Sequence, residues 1–120
     1  MEEKEGNKFY YEGEYAVNAT EENKFNYRHG RGVILKHSKD KIASWMYEGY
    51  VHYGKRHGYG REICHTGKVY VGQWIFDQKE GLGKQVFVNG SYYEGVFKEG
   101  KWHGQGKHVL ADGTKQTGLW

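Results

Sequence analysis

The sequence predicts an all-β fold, an elongated single-layer antiparallel sheet of stacked β-hairpins. Three features carry that expectation: a repeat of 23 residues, glycines at fixed places within it, and aromatic residues alternating with those glycines at period two. The repeat shows as Tyr47-Glu48-Gly49, Tyr70-Val71-Gly72, Tyr93-Glu94-Gly95 and a decayed Gln116-Thr117-Gly118. A Gly-x-Gly follows in each complete unit (Gly58/Gly60, Gly81/Gly83, Gly104/Gly106), then a lone Gly67, Gly90 or Gly113.

Residues 1–10 form an acidic N-terminal segment. A divergent copy occupies residues 11–46, where Tyr11-Glu12-Gly13 is answered by Gly30-Arg31-Gly32. Sixteen residues separate Gly13 from Gly30 where the other units have eight, and fourteen separate Gly32 from Tyr47 where the others have nine. The inserts, about Val17–Tyr27 and His37–Ser44, read as longer loops on a regular scaffold. Regular repeats follow at 47–69, 70–92 and 93–115, with a partial repeat at 116–120.

Sixteen of the 19 glycines sit at repeat positions, so they are not linker glycine. In strand interiors they would cost roughly 0.5–1 kcal/mol each relative to Ala, a large charge against a domain's small net stability. Something in the fold must need positive φ at turns, or room for another group directly on the backbone. Asn89-Gly90 and Asp112-Gly113 are strong hairpin-turn signals, and Thr66-Gly67 is a weaker one at the same place. The segments Tyr70–Trp74 and Tyr93–Phe97 set aromatic, Gly, aromatic on one face, leaving a shelf for a neighbouring ring.

Each unit therefore reads as two strands. One runs from the Tyr through about Phe76 or Lys98, and the other from the Gly-x-Gly to the next turn. Four units and a final half-unit give about nine strands, spanning about 40 Å at the usual strand spacing. No segment keeps an apolar helical period clear of glycine.

The His57-Gly58-Tyr59-Gly60 and His103-Gly104-Gln105-Gly106 cores, set within Tyr-x-Gly units, resemble the MORN (membrane occupation and recognition nexus) repeat family. Glu80 stands where the family's His is expected in the third unit, and the first unit lacks the turn glycine. The resemblance, which spans Tyr11 to Trp120, implies a non-enzymatic scaffold or interaction protein. The run Tyr47–Gly60 looks most like the MORN units of ciliary radial spoke heads, implying a small structural subunit of an axoneme or another cytoskeletal complex. MORN repeats also accompany lysine methyltransferases and lipid kinases, but no residues after this array are left for a catalytic domain.

Composition narrows the classes. The chain has 120 residues, 17% of them aromatic, and a mean hydropathy of −0.96. Disordered chains are poor in aromatics, and a thin sheet with half-buried rings fits the low aliphatic content. Met1–Glu5 is acidic with no apolar run behind it, which argues against a signal or transit peptide, and no transmembrane stretch is evident. Cys64 is the sole cysteine, which favours a reducing, cytoplasmic setting. A net charge of +3 falls short of a nucleic-acid footprint.

Chemical sites find little support. His29, His57 and His103 each precede a Gly-x-Gly, but equivalent positions in adjacent two-strand units lie about 9–10 Å apart, too far to share one ion. They read as structural rings at the strand entry. Gly81-Leu82-Gly83-Lys84 lacks the third glycine and the helix of a nucleotide loop. Cys64 and His65 are strand neighbours and point to opposite faces. No catalytic residue, metal or cofactor is expected.

Three candidate surfaces remain. An aromatic face of Tyr47, Tyr70, Trp74, Tyr93 and Phe97, with Trp102 and Trp120, is either core or a groove for an apolar helix or peptide of a protein partner. A basic edge of Arg28, Lys55, Arg56, Lys79 and Lys101 is either a solubilising rim or the alternative function, a peripheral membrane protein binding anionic phospholipid. Finally, an open last strand, Lys115–Trp120, invites pairing with a partner chain or a second copy in a homo-oligomer.

Overall fold

In a computed structural model of the chain, which describes residues 2–4, 7–16, 20, 28–39 and 44–120, ten strands follow one another across a single antiparallel sheet without a crossover. They are β1 (Glu2–Lys4), β2 (Asn7–Tyr15), β3 (Arg28–Ser38), β4 (Trp45–His52), β5 (Lys55–Cys64), β6 (Val69–Ile75), β7 (Gln78–Val86), β8 (Tyr92–Lys98), β9 (Lys101–Val109) and β10 (Lys115–Leu119). The expected count of about nine is one short, because Glu2–Lys4 pairs with Asn7–Phe9 and carries the sheet into the acidic segment. The longest dimension is 51 Å rather than about 40 Å, and the added strand accounts for only about 5 Å of that difference. Of the expected inserted loops, most of Val17–Tyr27 and residues 40–43 lie outside the described residues. His37 and Ser38 belong to β3, against expectation.

The second strand of each unit also starts earlier than the Gly-x-Gly. β5, β7 and β9 begin at Lys55, Gln78 and Lys101, three residues before their first glycine. The reason is a tight two-residue turn at Tyr53-Gly54, Phe76-Asp77 and Glu99-Gly100. Both central residues have positive φ, for example 44° and 70° at Phe76-Asp77. That is the backbone twist which matches two-residue hairpins. Phe76 and Asp77 adopt it without a glycine, which is why no turn signal marks it in the sequence.

One register organises everything else. Gly13, Gly32, Gly49, Gly60, Gly72, Gly83, Gly95, Gly106 and Gly118 stand opposite one another in a continuous row from β2 to β10. The rings of Tyr11, Tyr47, Tyr70 and Tyr93 lie flat along this row. A Cβ added at Gly60 would run into the Tyr47 ring, and one added at Gly49 would stand 2.5 Å from the Gly60 Cα. Each tyrosine hydroxyl reaches across the glycine to the carbonyl three residues on, as Tyr47 Oη donates to Tyr50 O (2.6 Å) and Tyr70 Oη to Gln73 O (2.8 Å). Beyond the glycine the strand bulges at Gly13/Tyr15, Gly49/Val51, Gly72/Trp74 and Gly95/Phe97. The bulges increase local twist and help the sheet wrap its rings.

Candidate functional site

The two faces of the sheet differ in what they have already bound. On the inner face, Tyr47, Tyr70, Trp74, Tyr93 and Phe97 are all 0–2% exposed and form the core with Ile34 and Val51. Their rings meet edge to face, Tyr47 with Trp74 at 5.4 Å and Tyr70 with Phe97 at 4.9 Å. This corrects the expectation of an aromatic partner face for those five residues, which have no surface to offer. Trp102 is half-buried and stacks on Tyr93 at 4.3 Å, its indole N–H donating to Gln85 Oε1 (3.2 Å). Trp120 is the one member that stays exposed, and it too leans edge-on against Tyr93.

Burial also tunes the phenols. Desolvation pushes the Tyr11 hydroxyl up to about 12 and raises those of Tyr47, Tyr70 and Tyr93 above their ordinary range.

The basic edge dissolves on inspection of the register. Arg56, Lys79 and Trp102 occupy equivalent positions on the inner face, while Lys55 and Lys101 occupy the position one residue earlier. A one-residue offset in a strand puts the two sets on opposite faces. The Arg56 guanidinium is clamped between the Trp45 and Trp74 rings, 4.3 and 4.4 Å from their centroids. It is paired with Glu62 at 2.6 Å and with Asp77 at 3.1 Å. Lys79 reaches the same Glu62 at 3.4 Å over the Tyr70 ring. Arg28 is buried and donates to the Gly54 carbonyl (2.7 Å). Three of the five expected edge cations are thus internal cross-links, and only Lys55 and Lys101 are exposed.

Histidine has a structural use that its neighbours explain. His57 Nδ1 accepts from the Phe76 N–H (3.2 Å), and His29 Nδ1 accepts from the Tyr53 N–H (3.4 Å). Each therefore latches the tight turn of the following unit. Glu80, standing in the His position, does the same for the Glu99 N–H with Oε1 at 3.0 Å. The site demands an acceptor, and either side chain supplies one. His52 lies between His29 and His57, with ring centroids 4.8 and 5.3 Å away. Among the described residues no group of three or more His, Cys, Asp or Glu is placed to hold a metal ion. Cys64 donates weakly to Glu62 Oε1 (3.6 Å), and burial, followed by the Glu62 charge, pushes its thiol up, away from the nucleophilic thiolate.

The outer face was not anticipated. Following the register strand by strand, Tyr10, Leu35, Met46, Ile63, Val69, Val86, Tyr92 and Val109 form one apolar row across β2 to β9. Beside it runs a row of Glu12, Val33, Glu48, Arg61, Val71, Lys84, Glu94 and Lys107, joined only by loose contacts such as Arg61–Glu48 at 3.6 Å. A third row carries Tyr50, Tyr59 and Leu82, all well exposed, Leu82 at 64%. The first apolar row deepens over β2 to β5 into a groove of about 590 Å³ flanked by Lys8, His37 and Cys64. Its signal was present in the sequence, since Met46, Val69 and Tyr92 precede the repeat tyrosines and Ile63, Val86 and Val109 recur at the same 23-residue period.

No curated protein matches the chain. The MORN repeat family model matches at 47–69, 70–92 and 93–115, more than half of the sequence. Those limits coincide with units whose Tyr-over-Gly shelves and turn latches have just been described, and MORN repeats are a non-catalytic module of binding and scaffold proteins. The chain belongs to the MORN repeat family.

Proposed function

We propose that this protein is a non-enzymatic docking module, a small structural subunit held by protein neighbours within a larger intracellular assembly. The observation that supports this reading is the outer face. Its apolar rows cross the sheet on strands whose opposite side is already filled by rings and internal ion pairs, and apart from the buried Val109 their side chains are half-buried or well exposed. Of the assemblies such a subunit would serve, the ciliary axoneme is the first to test, on the likeness of Tyr47–Gly60 to radial spoke head units.

The experiment is a pull-down from native extract with mass spectrometry, comparing the wild-type chain with a Tyr59→Glu, Leu82→Glu variant. Loss of the same neighbours from the variant, with an unchanged circular dichroism spectrum, is the expected result. Identical capture by both proteins refutes the docking face. Co-sedimentation with purified axonemes decides the narrower proposal, which fails if all of the chain stays in the supernatant. The lipid-binding alternative rests on Lys55 and Lys101 alone, and vesicles containing phosphatidylserine should show no salt-sensitive binding.

A further inference from the structure

We infer that the occupant of the outer face is a second copy of this chain, packed face to face about a two-fold axis parallel to the strands. This rests on the docking reading above and names the partner it leaves open.

Two sheets that pack face to face keep their strands within about 30° of one another. A two-fold axis along the strand direction satisfies that condition. It reverses the order of strands while keeping each residue's height along the strand. Placed between β5 and β6, the axis sets β2 on the partner's β9, β3 on its β8, β4 on its β7 and β5 on its β6. The apolar row then lies on itself, Ile63 against Val69 and Met46 against Val86, as their shared register dictates.

The charged row makes the choice specific. Under the same operation Glu12 falls on Lys107 and Glu48 on Lys84, while Arg61 meets Val71 and Val33 meets Glu94. Acidic positions in the N-terminal half meet basic positions in the C-terminal half, twice over by symmetry, and no like charges oppose. In the third row Tyr50 falls on Leu82, two of the exposed apolar residues.

The area is adequate. Eight strands span roughly 34 Å and the three rows are about 20 Å wide, so each copy would cover roughly 700 Å² and the pair about 1,400 Å², within the range of stable, specific interfaces.

The test uses complementary charge reversals on the full chain, read by size-exclusion chromatography with light scattering at about 100 μM. Wild type should be dimeric. Glu48→Lys places Lys on Lys84 twice and Lys84→Glu places Glu on Glu48 twice, so each variant alone should shift to monomer, with dissociation constants at least about tenfold higher. Mixed one to one, the two variants are fully complementary, and the mixture should dimerise. The double variant Glu48→Lys, Lys84→Glu should also dimerise. Urea midpoints confirm that each chain is folded.

A monomeric wild type overturns the inference, as does a dimer indifferent to both reversals, which would place self-contact elsewhere, for instance on β10. The docking reading fails separately. If wild type is monomeric yet Tyr59→Glu, Leu82→Glu still abolishes capture of cellular neighbours, the face is a docking face whose occupant is a different protein.

Discussion

The inner and outer faces of this sheet share one backbone and one period, yet they obey different rules. On the inner face every large group has a specific counterpart: a ring for each pair of glycines, a carbonyl for each tyrosine hydroxyl, two indoles and two carboxylates for Arg56. On the outer face the groups are arranged in rows but few are paired. Polar groups removed from water must be matched, whereas exposed ones are free to be selected for an encounter. The comparison teaches that the repeat's most visible aromatic residues are structural and that its less visible neighbours are the surface.

Substitutions can break that contrast, and the largest effect is expected at Arg56. Arg56→Ala empties the space between Trp45 and Trp74 and removes the near partner of Glu62 and Asp77. A loss of about 3–5 kcal/mol in urea unfolding is expected. A cost below about 1 kcal/mol would mean the cation is a rim charge after all. The surface counterpart, Glu48→Lys, turns the loose Glu48–Arg61 contact into a like-charge pair and should cost the isolated chain no more than about 1 kcal/mol.

Next comes the glycine row. Gly60→Ala drives a methyl into the Tyr47 ring and should cost about 2–3 kcal/mol. Gly90→Ala, at a turn where φ is +89° and nothing stands within 4 Å, meets only the backbone penalty of about 1–2 kcal/mol. Equal losses at the two sites would remove the ring-on-backbone explanation for the row.

Alkali should act on the inner face first. The phenols of Tyr11, Tyr47, Tyr70 and Tyr93 hold their protons above the ordinary value of about 10, chiefly through burial. Raised folded values mean that their contribution to stability is complete below about pH 10 and is lost as pH climbs toward the folded values, because the unfolded chain releases those protons earlier. Urea midpoints should therefore fall above about pH 10, with the late tyrosinate absorbance appearing together with unfolding. Tyrosinate that develops fully in a chain still folded would contradict the buried hydroxyls.

The smallest effect sharpens the turn latch. His57→Ala should cost about 1 kcal/mol by orphaning the Phe76 N–H. His57→Glu should restore most of it, since Glu80 already plays that part for Glu99. If Glu is as harmful as Ala, the acceptor is not what the position requires.

Much of the fold was readable because glycine and tyrosine spacing is a direct record of strand register. The 23-residue period and its glycines predict hairpins and a shelf for a neighbouring ring, and the structure supplies the pairing, with Tyr47, Tyr70 and Tyr93 over Gly60, Gly83 and Gly106. The turn at Phe76-Asp77 was hidden because neither residue advertises positive φ. The basic edge was misplaced because Lys55 and Arg56, adjacent in sequence, were read as one feature, although successive strand residues face opposite ways. Strand β1 was missed because Glu2–Lys4 carries no period and is held by Asn7–Phe9 alone.

The sequence by itself determined the all-β class, the repeat limits and the stacking of hairpins, since these follow from local spacing and glycine's missing side chain. Only the tertiary structure decided that Arg28, Arg56 and Lys79 turn inward, that the aromatic residues of the repeat are consumed as core, and that Glu12, Glu48, Lys84 and Lys107 line up in one row. Those outcomes depend on how residues from different strands come level with each other, and bulges and tight turns shift that alignment in ways no single segment encodes.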